Sequence, residues 1–114
     1  MKNVVVTMLM LIVCLPLSQV LVADTWMGAK KVVSVQLVQT GGMIIYFDSE
    51  VSPTCTTAGT SSLYIYPDQV GVTTDGAKAF LSASLTALST GMSVDVMYDD
   101  SATHCWGKYL VIKK

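Results

Sequence analysis

"TTDGAKAFLSASLTALSTGMSVDVMYDD", residues 73–100, contains the change of period on which the fold turns. Ala77, Phe80, Leu81, Ser84, Leu85 and Leu88 recur at three- and four-residue spacing, with Lys78, Ser82, Thr86 and Ser89 between them, the pattern of an amphipathic helix. That spacing predicts packing through Phe80, Leu81, Leu85 and Leu88. Thr74 or Asp75 can cap the helix start by accepting from free backbone N–H groups, and Gly91 can end it in a left-handed conformation. Beyond Gly91 the period drops to two: Val94, Val96 and Tyr98 alternate with Ser93, Asp95 and Met97, as in a half-buried strand.

Strands lie on both sides of this unit. In "KKVVSVQLVQT" (30–40), Val33, Val35 and Leu37 alternate with Ser34 and Gln36. Thr40-Gly41-Gly42 turns the chain into "MIIYFD" (43–48), a hairpin whose glycines allow the positive torsions of a tight turn. A Ser/Thr-rich loop carrying Cys55 follows, then "LYIY" (63–66), stopped by Pro67. After the helix and the strand from Ser93, Asp99-Asp100-Ser101 turns into "HCWGKYLVI" (104–112). Three strands, one helix and two strands is the order of an OB-fold-like Greek-key barrel of five strands. An open antiparallel sheet with one helix across it has the same order and is the alternative.

Compartment follows from the first 23 residues, "MKNVVVTMLMLIVCLPLSQVLVA". One lysine, an apolar run broken at Pro16 and a small-residue exit at Ala23 read as a secretory signal peptide, with residues 24–114 as the mature domain and a secreted or periplasmic location. Acylation of Cys14 is the weaker alternative, because Val13 stands where a small residue is expected. Removal of the leader leaves Cys55 and Cys105, and two cysteines in an exported chain predict one disulfide. With His104 they are too few, and wrongly spaced, for a zinc site.

One of the seven basic residues, Lys2, lies in the leader, so the mature part has six lysines against eight acids and no arginine. Nucleic-acid binding wants clustered positive charge and arginine forks, and is excluded as a reading. No Gly-x-Ser-x-Gly elbow, His-Glu-x-x-His motif or phosphate loop occurs, and Asp48 with Glu50 falls short of a calcium ligand set. His104, flanking the disulfide, has only the turn residues Asp99 and Asp100 near it in sequence, whereas acid/base chemistry needs a positioned partner. No catalytic residue, metal or cofactor is expected.

The run "GAKAFLSASLTALSTGMSVDVMYDD" followed by "CWGKYLVI" resembles a group of small secreted bacterial OB-fold proteins, and through them the binding subunits of AB5 toxins of the subtilase-cytotoxin and pertussis type. The resemblance covers residues 30–112. It implies a homo-oligomeric ring, pentameric in such toxins, that binds host-cell glycans, with or without an enzymatic toxin A chain. None of the family's sugar-binding residues is carried over.

The tyrosines at 46, 64, 66, 98 and 109, together with Trp106, are the side chains able to stack on a sugar ring. Leu63 and Ile65 share one face of "LYIY", so Tyr64 and Tyr66 take the other, outside the barrel; with Trp106 they form the candidate ligand site. Two functions fit: a secreted ring-forming carbohydrate-binding module, or a monomeric periplasmic or secreted structural or inhibitory protein without a sugar site. Intact mass of the exported protein checks the processing: cleavage after Ala23 leaves a chain without Cys14, whose mass rises by two alkyl adducts only after reduction. A lipid adduct at Cys14 or two alkylatable thiols without reductant contradicts it.

Overall fold

The computed structural model describes residues 24–101 and 103–114; the expected leader and Cys14 lie outside them. The elements are β1 (Asp24–Trp26), β2 (Lys30–Leu37), β3 (Met43–Phe47), β4 (Ser62–Ile65), α1 (Thr74–Thr90), β5 (Ser93–Asp99) and β6 (Trp106–Lys113). β2, β3 and β4 form an antiparallel meander, β4 meets β6 in parallel, β6 pairs antiparallel with β5, and β5 returns to β2. The sheet closes on itself as an OB-fold-like barrel with one helix, not as an open sheet.

β1 is a strand that the period-two pattern does not reveal. It extends β2 along the same edge of β5: Trp26 is opposite Met97 and Lys30 is opposite Val94. Between them Met27 N–H donates to Val96 O at 3.0 Å. Gly28, at φ 88°, then turns its N–H onto Asp95 Oδ1 at 2.9 Å. The buried Asp95 carboxylate also meets Lys113 Nζ at 3.4 Å, so one side chain satisfies the break in the strand.

The alternation expected for β2 is interrupted. Val32 is opposite Phe47 but Ser34 is opposite Tyr46, so β2 holds one extra residue, a β-bulge. The bulge buries Val32, turns Val33 out to solvent and leaves Val35 only partly buried. Leu37 is exposed at the strand end. By contrast Val94, Val96 and Tyr98 of β5 face the core as their alternation predicts, with Met43, Ile45 and Phe47 of β3 and Leu63 and Ile65 of β4.

The helix starts one residue earlier than expected: Thr73 is the N-cap, and its hydroxyl accepts from Gly76 N–H at 2.9 Å. Gly91 ends it in the left-handed conformation, donating to Ala87 O. Its buried residues are Ala77, Phe80, Ser84 and Ala87. Phe80 is therefore an anchor as expected and Leu81 packs partly, but Leu85 and Leu88 are 46% and 40% exposed. Two adjacent stripes, one small and one leucine-rich, both have helical period. The small one faces inward because it lets the helix axis approach the closed barrel. Phe80→Ala is expected to cost about 3–5 kcal/mol and Leu85→Ala no more than about 1 kcal/mol, as chemical denaturation would measure; equal costs would contradict this orientation.

Candidate functional site

The 49–61 loop and the β5–β6 loop are joined by the Cys55–Cys105 disulfide, with Cα atoms 5.4 Å apart and both cysteines buried. Closing a loop of 50 residues stabilises such a domain by roughly 4 kcal/mol in the chain-entropy model. A second tie lies beside it. Thr57 N–H donates to Thr103 O at 3.3 Å, and the hydroxyls of Thr57 and Thr103 are 2.9 Å apart. His104 thus sits between two fixed residues, Thr103 and Cys105.

Cys105 has φ 53°, the left-handed region that a non-glycine residue enters at a cost of about 1–3 kcal/mol. Its carbonyl accepts from Tyr64 N–H at 3.2 Å, beside the single parallel bridge that pairs Tyr64 with Trp106. In an extended chain, residues two apart stand on one side about 6.6 Å from each other. The kink at Cys105 draws the rings of His104 and Trp106 together, to a centroid distance of 5.1 Å and an interplanar angle of 5°.

Two more rings complete the group. Tyr64 stands edge-on to His104 at 4.8 Å and to Trp106 at 5.7 Å. Tyr66 stacks beside Tyr64 at 5.7 Å and meets Trp106 edge-on at 5.5 Å. Strand parity puts Tyr64 and Trp106 outside the barrel, since their neighbours Leu63, Ile65, Cys105 and Gly107 are buried. Ile44, opposite Tyr64, is buried although it too belongs to the outer face. The four rings make a continuous, half-buried aromatic platform.

Gly42 supports it from below. A Cβ added there would lie 2.6 Å from the Tyr66 ring carbons, so this glycine permits close approach of the ring, while its neighbour Gly41, at φ 100°, makes the turn.

The chemistry of the platform lies in its polar atoms. The hydroxyls of Tyr64 and Tyr66, the Trp106 indole N–H and the His104 ring nitrogens have no hydrogen-bond partner among the described residues, and none is a buried orphan. Burial, with Tyr66 and then Tyr46 nearby, raises the Tyr64 pKa, so its hydroxyl keeps its proton and can donate. Tyr46, by contrast, donates to Gln36 Oε1 at 3.0 Å. Tyr98 is buried in the core and Tyr109 stands exposed on β6.

The three residues singled out from sequence, Tyr64, Tyr66 and Trp106, are therefore adjacent, and His104 joins them. The sequence reading puts His104 in the last strand, but it lies in the turn before β6, and the left-handed Cys105 between it and Trp106 is not legible from periodicity. No family model, curated protein or solved structure matches this chain.

Gly42→Ala is expected to leave the barrel folded but push Tyr66 off the platform. Nuclear Overhauser contacts between the Tyr66 and Trp106 rings should vanish while those between Tyr64 and Trp106 persist; retention of both contradicts the supporting role of Gly42.

Proposed function

We propose that this chain is an exported carbohydrate-binding module acting as a ring of copies, in the manner of a toxin binding subunit. The observation that carries the reading is the platform: four contacting rings whose polar atoms point to no protein partner among the described residues. A pyranose offers an apolar C–H face and a rim of hydroxyls. Aromatic faces with unpaired O–H and N–H groups complement both. The disulfide fits an oxidising compartment.

Self-association is supported by apolar surface that the described chain leaves uncovered. On one flank of α1 are Leu85 and Leu88, with Leu37 near the end of β2; on the other, Ala79 and Ala83 line a groove with Tyr109 and Leu110 of β6. Two unlike surfaces that pair head to tail generate rings when the rotation closes. A platform that makes only a few contacts binds a single sugar weakly, with a dissociation constant on the order of millimolar, and several platforms on one ring convert that into avidity. An enzymatic A chain is the partner that the toxin resemblance implies.

The test is a glycan array probed with oxidised mature protein, alongside sedimentation. Binding by an oligomer is expected, weakened roughly tenfold, or about 1.4 kcal/mol, in Tyr66→Ala and Trp106→Ala. A folded monomer that binds no glycan would move the reading to a structural or inhibitory protein. Binding unchanged in both variants would place the sugar on another face.

A further inference from the structure

Charged side chains border the platform on one side. Asp24, Asp99, Trp106 and Tyr64 are successive register partners from β1 through β5 and β6 to β4. Neighbouring strands lie about 4.8 Å apart and directly paired residues share a face, so the Asp99 carboxylate borders Trp106 and the Asp24 carboxylate stands one strand beyond.

Burial pushes the Asp99 carboxyl up, but hydrogen bonds from the Ser101 side chain and backbone, with Lys108 nearby, outweigh it and hold the pKa below the usual value. Lys108 Nζ is engaged by both Asp24 oxygens, at 3.0 and 3.1 Å. One lysine therefore faces two carboxylates.

The other lysines of the described chain are placed elsewhere. Lys113 pairs with Asp95, Lys30 and Lys31 pair in register with Val94 and Ser93 at the far end of β5, Lys78 is on α1, and Lys114 ends the chain. Arginine, the usual fork for a carboxylate, is absent from the sequence. The rings also touch one another at 4.8–5.7 Å, which leaves no gap between them to enclose a cationic group.

Resting on the carbohydrate reading, we propose that the platform takes an uncharged pyranose and discriminates against acidic sugars, with Asp99 as the residue that sets the discrimination. A neutral ring stacks on the aromatic faces and shares hydroxyls with Tyr64, Tyr66, His104 and Trp106. A uronic carboxylate on that ring meets Asp99 with no lysine among the described residues free to offset it, an electrostatic rejection built against the wrong ligand.

The test uses matched methyl glycosides of glucose, galactose and mannose and their uronic-acid counterparts, each differing only at C6. They are titrated against the full mature protein while the Trp106 indole N–H resonance is followed. The neutral member of a bound pair should bind about tenfold more tightly, and the gap should shrink as salt screens the repulsion. Asp99→Asn should narrow the gap at least severalfold. Asp75→Asn, which removes the same charge from the first turn of α1, should leave it unchanged. Equal or tighter binding of the uronic acids overturns the proposal, as does a gap that Asp99→Asn does not move or that Asp75→Asn moves equally. Binding of neither member of any pair, by protein whose rings retain their contacts, counts instead against the carbohydrate reading beneath it.

Discussion

Cys105 is the residue on which the outer face of this protein depends. Its sulfur is bonded to Cys55, its carbonyl accepts from Tyr64, and its backbone adopts a conformation that an unconstrained cysteine avoids. Without the kink, His104 and Trp106 would be ordinary alternate residues of an extended strand. Without the disulfide, the kink would rest on hydrogen bonds and ring contacts each worth on the order of 1 kcal/mol, among them Tyr64 N–H to the Cys105 carbonyl and the Thr57–Thr103 pair. The covalent link thus does two things: it stabilises a small barrel by restricting the unfolded chain, and it helps to hold four rings in one arrangement. Preorganisation of this kind lowers the entropic cost of weak binding.

Close approach is the second constraint, and it recurs wherever the chain uses a small residue. Ala77, Ser84 and Ala87 bring α1 against the barrel; Ser84 is fully buried and its hydroxyl has no hydrogen-bond partner among the described residues, a sign that size outweighs polarity there. Gly107 sits under the core end of Ile65, and an added Cβ would collide with Ile65 Cδ1. Gly42 plays the same part outside the barrel, beneath Tyr66. Large side chains then fill what the small ones leave: Phe80 from the helix, Ile65 and Leu63 from β4.

These small residues also explain which parts of the molecule were legible in its sequence. Element order, the switch of period at Gly91, the inward set of β5 and the pairing of Cys55 with Cys105 all follow from periodicity and counting. Outward placement of Tyr64 follows from the parity of four residues. The inward stripe of α1 follows only in part: Ala77, Phe80 and Ser84 belong to the periodic set, but hydrophobicity draws Leu85 and Leu88 inward with them, whereas packing against a closed barrel favours the smaller residues and buries Ala87 instead. Val33 was misplaced because nothing in "KKVVSVQ" announces a bulge. β1 is three residues long, too short to show a period, and its continuity with β2 depends on Gly28 and Asp95 meeting across 67 residues. His104 is the instructive case: in sequence it reads as the flank of a disulfide, whereas in the fold its ring stacks on Trp106.

The seam between β4 and β6 joins the fold to the aromatic platform. The two strands share a single parallel bridge, Tyr64 to Trp106, whereas β5 and β6 pair over seven register positions. A barrel closed so thinly at one place leaves backbone there that side chains must shield, and the rings of Tyr64 and Trp106 stand over that place. They serve closure and presentation together, so their loss disturbs both stability and any surface chemistry. Tyr66 differs: it lies beyond the end of β4, its backbone makes no ladder bond to β6, and its ring rests on Gly42. Among the four rings it is the one whose removal alters the platform with least effect on folding. An ordered platform at the weakest seam of a small barrel is therefore consistent physics, because the aromatic side chains that cover the seam are the ones whose outer faces stay open to solvent.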